Sequence, residues 1–151
     1  MKSLLVASVA VVGLLSSLPA AAQFRNAEAA IKYRQSVMTM QGFHLGRISA
    51  MANGRMPFDA KLAAEDAALL NTIDKLPFVA FGEGTDKGGN TRAKPEVWKD
   101  RAKFDAASKK MQEEVAKLDV AARTGNLEAI KTAVGAAGAA CKACHDDFQS
   151  Q

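Results

Sequence analysis

Two cysteines and a histidine stand together near the end of the chain, in the run Cys141-Lys142-Ala143-Cys144-His145. The chain has no other cysteine and only one other histidine. Positions three and four apart on a helix share a face, so both thiols and the imidazole project together. A C-x-x-C-H run is typical of haem attachment, in which two thiols add to the porphyrin vinyl groups and the imidazole binds the iron. The motif therefore predicts one haem c, held covalently by Cys141 and Cys144 and ligated by His145.

Three other chemistries use the same residue types. A thioredoxin-like dithiol should open a helix after a strand, whereas this run ends an alanine-rich helical segment. A zinc site needs about four ligands, and the distant His44 would complete an awkward set with the pentad. A disulfide between cysteines three apart on a helix would have distorted geometry. Haem attachment is the interpretation that these comparisons favour.

The first 22 residues have the pattern of an export signal. Lys2 is followed by an apolar run over residues 4–15, which is short for a membrane span, and then by the small residues Ala20, Ala21 and Ala22. We predict a signal peptide over residues 1–22 and one four-helix-bundle cytochrome c domain over residues 23–151. An uncleaved membrane anchor is the alternative. An exported haem c protein indicates a bacterial periplasmic location.

The charge of the chain excludes some partners. Of its 20 basic and 16 acidic side chains, only Lys2 lies in the predicted signal peptide, which leaves a formal charge of +3. No basic stripe with interleaved aromatic residues is present, so nucleic acid is not an expected partner. No later segment is apolar for long enough to span a membrane once the signal is removed.

Four segments have helical periodicity, and alternating strand patterns are missing. A loop from Phe78 to Lys94 with four glycines separates the second and third segments, and we expect it to be mobile or sharply turned. Short links elsewhere favour antiparallel neighbours. The fold class predicted is all-α, an antiparallel four-helix bundle with covalently bound haem c. Its helices should run from 27 to 52, from Asp59 to Pro77, from Pro95 to Gly125 and from Asn126 to Phe148.

Longer motifs give a family resemblance over the whole mature chain. They are Tyr33-Arg34-Gln35-Ser36-Val37-Met38, Leu76-Pro77-Phe78-Val79-Ala80-Phe81-Gly82, Lys94-Pro95-Glu96-Val97-Trp98 and the run from Cys141 to Phe148. Together they resemble the cytochrome c′ family of class II cytochromes c. The resemblance implies a periplasmic homodimer in which the first two helices of each subunit cross. It also implies a five-coordinate, high-spin haem iron that binds nitric oxide or carbon monoxide.

The resemblance also implies roles for single residues. Arg34 would contact a haem propionate, Gln35 would lie near the haem edge, and Met38 would cover the open face of the iron. Arg34 and Met38 are four residues apart on one helix face, so both can reach one planar group. One position departs from the family, which usually has arginine or lysine four residues after the haem histidine; this chain has Gln149. The aromatic positions expected around the ring are Phe78, Phe81 and Phe104.

Two further functions compete with gas binding. A six-coordinate, low-spin electron carrier would use Met38 as sixth ligand, since a thioether is an adequate axial ligand, and would serve an unidentified redox partner. An enzyme such as a peroxidase is disfavoured, and we expect no catalytic residue. The other histidine, His44, is six residues from Met38, or about 240° around the helix, so it should not face the iron. We expect it to pack on another helix or on a second subunit.

Overall fold

The computed structural model describes residues 23–150, and the predicted signal peptide lies outside them. The described residues contain no β-strand, only one isolated antiparallel bridge between Ala93 and Gln149. Within them, no helix has both the length and the apolar composition needed to cross a bilayer. The helices are α1 (Ala27–Ala52), α2 (Ala60–Ile73), a 3-10 helix (Leu76–Ala80), α3 (Glu96–Lys99), α4 (Arg101–Arg123) and α5 (Leu127–Phe148).

Short polar side chains fix where the long helices begin. The Oδ1 atom of Asn26 accepts from the backbone N–H of Ala29 at 2.8 Å, which satisfies one of the unpaired donors at the start of α1. Asp59 caps α2 and Asn126 caps α5 in the same way. Gly125 has a φ of +65°, a conformation that favours glycine, and it turns the chain directly from α4 into α5. The predicted starts of the second and fourth helices at Asp59 and Asn126 are confirmed, with each of these residues as the cap.

The prediction of one continuous third helix is wrong, because the structure has two helices there, α3 and α4. The two helices are separated at Asp100, whose φ of −119° and ψ of 63° are not helical. The Asp100 side chain accepts from the backbone N–H of Lys103 at 3.2 Å, so this residue caps α4 instead of continuing α3. Proline at position 95 and a continuous apolar stripe suit one helix or two equally well, which is why the sequence did not reveal the break.

The second helix ends earlier than predicted, at Ile73. The proline ring at position 77 would clash with the Ile73 carbonyl if α2 continued. That carbonyl accepts from the Gln41 side chain of α1 at 3.2 Å. The chain then passes through the 3-10 helix, which packs against α1.

Two apolar clusters fill the bundle. The larger lies between α1, α2, α4 and α5 and includes Ile48, Leu70, Leu118 and Ile130. The four long helices confirm the predicted four-helix bundle, with α4 and α5 as neighbours. The smaller cluster is aromatic and lies nearer the end of α5; its buried members are Phe81, Val97, Phe104 and Phe148.

Candidate haem site

A cavity of about 620 Å³ opens beside both clusters, within the size range of cofactor pockets. It lies between α1, the 3-10 helix, the loop before α3, α4 and the last turns of α5. Most of its lining is apolar, and no aspartate or glutamate of the described residues lines it. The lining residues that the sequence singled out are Arg34, Gln35, Met38, Phe78, Phe81, Phe104, Cys141, Cys144, His145 and Gln149.

The C-x-x-C-H motif lies on the last two turns of α5 and faces this cavity. Both cysteines are free and half-buried, so the disulfide alternative is not formed. Burial raises the pKa of the Cys141 thiol, and burial together with the charges of Cys141 and Asp147 raises the pKa of Cys144 to about 11. A redox dithiol depends on a lowered thiol pKa, so these neutral thiols do not suit one.

His145 projects from the same face of α5 and lines the cavity with both cysteines. Burial, and secondarily the charge of Arg92, lowers the pKa of the imidazole. The neutral ring is the form that ligates a metal. No group of three or more His, Cys, Asp or Glu side chains within residues 23–150 is arranged to hold a metal ion. His44 lies elsewhere, with its Nδ1 atom 2.7 Å from Asp66 Oδ1, so a zinc site shared with the pentad is wrong.

Arg34 is the most buried charged side chain at the cavity, with 2% of its surface exposed. Its Nη1 atom donates to the carbonyl of Ala80 at 2.9 Å and to Thr85 Oγ1 at 3.1 Å. Its Nη2 atom donates to the carbonyl of Thr85 at 2.9 Å and to Thr91 Oγ1 at 3.0 Å. The guanidinium carbon lies 4.3 Å from the centroid of the Phe81 ring. Burial lowers the pKa of Arg34 to about 10, so the guanidinium stays charged. Its hydrogen bonds connect α1 to the end of the 3-10 helix and to the loop that follows that helix.

Gln35 and Met38 follow Arg34 along the cavity wall. The Nε2 atom of Gln35 donates to the carbonyl of Asn90 at 2.8 Å. The side chain of Met38 is half-buried and packs against the aromatic cluster. Within that cluster the ring centroids of Phe81 and Phe104 are 5.0 Å apart and those of Phe104 and Phe148 are 5.2 Å apart. The cavity therefore has an apolar wall of Met38 and packed rings, with α5 contributing the thiols and the imidazole.

The sequence and fold of this chain match one family throughout. The family model for cytochrome c′ matches residues 29–149. The chain belongs to the cytochrome c′ family. Cytochrome c′ of Rubrivivax gelatinosus is 54% identical over 129 residues, which cover 85% of this chain and all of the relative. Cytochrome c′ of Alcaligenes xylosoxydans xylosoxydans is 40% identical over 85% of this chain and 99% of its own.

Solved cytochrome c′ structures have the same fold. The crystal structure of the Rubrivivax gelatinosus protein matches with a TM-score of 0.83 and 55% identity, over 85% of this chain and all of that one. A nitric oxide complex of a leucine-to-isoleucine variant from Alcaligenes xylosoxidans matches with a TM-score of 0.79 and 40% identity, over 85% of this chain and 99% of that one. Both identities are high enough for the likeness to concern more than the fold.

The site residues of this cytochrome c′ fit haem c. Two neutral thiols three residues apart, a neutral imidazole beside them and a largely apolar cavity are the groups that a covalently attached haem needs. As in the family, haem c is bound through the pair Cys141 and Cys144. Two cations and no carboxylate line the space, which suits a cofactor with two negative propionates. Contact between Arg34 and a propionate stays a prediction, and both terminal nitrogens of Arg34 already have acceptors in the protein.

Several cavity residues were not identified from the sequence. Phe148 lies three residues after His145 on the same helix face, and this spacing could have marked it. Thr91 and Arg92 belong to an irregular loop, where no periodicity indicates which side chains face inward. The loop from Phe78 to Lys94, which we expected to be mobile or sharply turned, is turned and is held by hydrogen bonds from α3 and α4. Trp98 Nε1 donates to the carbonyl of Gly82 at 2.9 Å, and Arg101 Nη1 donates to that of Phe81 at 3.0 Å.

Proposed function

We propose that this cytochrome c′ binds nitric oxide and carbon monoxide at a five-coordinate, high-spin haem iron ligated by His145. The observation that carries this proposal is the position of Met38, whose side chain packs against the aromatic cluster in the cavity wall. A methionine that packs against rings can fill the open side of the pocket as an apolar plug, and its flexible side chain lets a small neutral molecule displace it. Haem c supplies the iron and its open position. The chain supplies His145 and an apolar wall that disfavours anions.

Relatives support the same ligand class, since solved Alcaligenes xylosoxidans cytochrome c′ structures include nitric oxide complexes. The deciding experiment is the absorption and resonance Raman spectrum of the ferric and ferrous holoprotein. We expect high-spin iron in both states and a new low-spin spectrum when carbon monoxide is added to the ferrous form. A low-spin ferric spectrum with a methionine–iron charge-transfer band would contradict the proposal.

That contrary result would support a second function, a six-coordinate electron carrier. The specific observation in its favour is that the Met38 thioether lines the same cavity as His145, from a different helix. A methionine ligand opposite histidine raises the potential of haem iron and suits electron transfer to a redox partner.

We also propose that the protein acts in the periplasm. The basic start, short apolar run and small-residue site of residues 1–22 support export, and c-type haem attachment in bacteria is an extracytoplasmic process. N-terminal sequencing of protein purified from a periplasmic fraction should give Gln23 as the first residue. A mature chain that retains Met1 would indicate an anchor instead.

A binding role, not a catalytic one, is our proposal for the site. Among residues 23–150, the ionisable side chains along the cavity are Arg34, Arg92, Cys141, Cys144 and His145. The cysteines and His145 are committed to the haem, and an arginine is too weak an acid for proton transfer near neutral pH. The other histidine is bonded to Asp66 between α1 and α2. Peroxide turnover above that of a haem c peptide would contradict this proposal.

A homodimer formed through α1 and α2 is the last part of the proposal. Large apolar side chains are exposed on these helices, with 45% of Met40, 61% of Phe43 and 39% of Leu69 open to solvent. Exposed apolar residues that share neighbouring helices are typical of a protein interface.

A further inference from the structure

The position four residues after the haem histidine carries no charge in this chain. Gln149 ends α5, and its backbone N–H donates to the carbonyl of His145 at 2.9 Å. Its side chain lines the cavity together with His145. The end of α5 therefore contributes a neutral group beside the haem ligand.

A second segment runs alongside this end of α5 and brings Arg92 to it. The backbone N–H of Ser150 donates to the carbonyl of Arg92 at 2.8 Å, and that of Lys94 donates to the carbonyl of Phe148 at 2.9 Å. Ala93 and Gln149 form the antiparallel bridge between these two bonds. Backbone pairing thus fixes the register, with Ala93 opposite Gln149 and Arg92 opposite Ser150, so Arg92 is held at the end of α5 whatever its side chain.

The Arg92 guanidinium is the accessible cation of the cavity. Arg92 lines the cavity with His145 and Gln149, and no carboxylate lines it. Within residues 23–150 the Arg92 side chain makes no hydrogen bond or ion pair, although its carbonyl also accepts from Ser150 Oγ. The other lining cation, Arg34, donates all four of its bonds to the chain and is buried. Lys94 does not line the cavity, and its Nζ atom donates to the carbonyl of Asp146 at 2.8 Å.

We propose that Arg92 supplies, from the loop before α3, the positive charge on the His145 side of the haem that Gln149 does not carry, and that it raises the midpoint potential. A nearby cation disfavours ferric iron relative to ferrous, because the ferric state carries one more positive charge. The interaction lies in a mostly apolar cavity open to solvent, where salt screens it in part. Arg92 is a tuning residue, since it acts on the iron through space and not as a ligand.

The test is redox titration of the holoprotein at low ionic strength. Arg92→Gln should lower the midpoint potential, while Arg92→Lys should stay near the wild type. Lys94→Gln is the matched control. It also removes one positive charge, but from a residue two positions after Arg92 whose side chain lies outside the cavity, so it should shift the potential less. The double variant Arg92→Gln with Gln149→Arg should recover the wild-type potential, since it moves the charge to the neighbouring position.

A titratable replacement provides an internal comparison within one folded protein. In Arg92→His the potential should be near the wild-type value at pH 5 and fall as the imidazole loses its proton between pH 5 and 8. Lys94→His should follow the wild type over the same range. A potential unchanged or raised in Arg92→Gln, or equal falls in the two histidine variants, would overturn the proposal. So would a shift that high salt does not reduce, because it would indicate a desolvated ion pair with a haem propionate instead. These outcomes do not depend on the spin state of the iron, which tests the proposed function separately.

Discussion

The side chain of Met38 can either cover the open position of the haem iron as an apolar plug or bind the iron as its sixth ligand. The thioether packs with the aromatic cluster in the cavity wall. Arg34, one turn earlier, holds α1 through four hydrogen bonds to the loop and 3-10 helix. Because α1 is fixed in this way, we expect the backbone of α1, and not a bond to the iron, to set how closely Met38 approaches the haem.

We therefore expect Met38→Ala to speed carbon monoxide binding to the ferrous protein by about tenfold or more, since removing the plug lowers the barrier to entry by about 1.4 kcal/mol per factor of ten. The ferric iron should stay high-spin. Flash photolysis and absorption spectra measure both effects. Met56→Ala is the control, because Met56 is also partly buried but packs on the larger core and does not line the cavity. Equal rates in the two variants would contradict the plug.

Gln149 lines the cavity beside His145, so a charge placed there should act on the iron. We expect Gln149→Arg to raise the midpoint potential by on the order of tens of millivolts, the size of a screened interaction of about 1 kcal/mol. Gln112→Arg is the control, since Gln112 is on α4 outside the cavity and bonds to Ser108. A rise no larger than that of the control would count against a position close to the iron.

At the scale of elements, a buried carboxylate fastens α1 to α2. Asp66 is 2% exposed and accepts hydrogen bonds from both Arg47 and His44 of α1. Burial alone would raise the pKa of Asp66, but the hydrogen bonds from Arg47 and His44 outweigh it and lower the pKa. Ionised Asp66 thus stabilises the fold above the ordinary carboxyl pKa of about 4, and this contribution disappears as the pH falls through the lower folded-state value.

Asp66→Asn should lower the free energy of unfolding at pH 7 by about 3 kcal/mol, because two partly buried donors lose a buried, charged acceptor. It should also weaken the dependence of stability on pH between about 5 and 2. Urea unfolding followed by circular dichroism measures both. Asp105→Asn, which removes the exposed partner of Arg101, should cost less than about 1 kcal/mol. Similar losses in the two variants would indicate that the Asp66 pair is as solvated as a surface pair.

The features of the fold that the sequence predicts are those with local signals. Capping side chains and apolar stripes mark the ends and inner faces of helices, so the sequence alone places Asp59 and Asn126 at helix starts. Asp100 could not be placed in this way, because a continuous stripe crosses it and its cap depends on a local dihedral angle. The early end of α2 follows from Pro77 and from the Ile73 carbonyl, which accepts a hydrogen bond from the Gln41 side chain on another helix.

Over the whole molecule, the C-x-x-C-H motif predicts the haem attachment, and α1 spacing predicts that Arg34 and Met38 face one group. The partners of Arg34 could not be predicted, since Ala80, Thr85 and Thr91 are brought to it only by the turned loop. Arg92 reaches the cavity through backbone pairing with the end of α5, about 60 residues later in the chain. Such pairing uses backbone N–H and C=O groups, so no pattern of side chains in the sequence predicts it.

The assembly is the remaining property of the whole molecule, and Phe43 provides its test. Its ring is 61% exposed on α1, and it is held in place by an edge contact with His44 at 5.2 Å and by the Arg47 guanidinium at 5.3 Å. The residues that fasten α1 to α2 thus also position this exposed ring, as an interface on these two helices would require. Burying a phenylalanine side chain contributes about 1.5–3 kcal/mol.

Phe43→Ala should therefore raise the dissociation constant of the dimer by about a hundredfold or more, since each subunit contributes one ring and each 1.4 kcal/mol is a factor of ten. Sedimentation velocity over a concentration series measures the change. Val120→Ala is the matched control, because Val120 is 67% exposed but lies on α4, outside the proposed interface. A wild-type protein that is monomeric at high concentration would contradict the dimer. If Val120→Ala dissociates the dimer and Phe43→Ala does not, the interface lies on α4, and the exposed rings of α1 need another explanation.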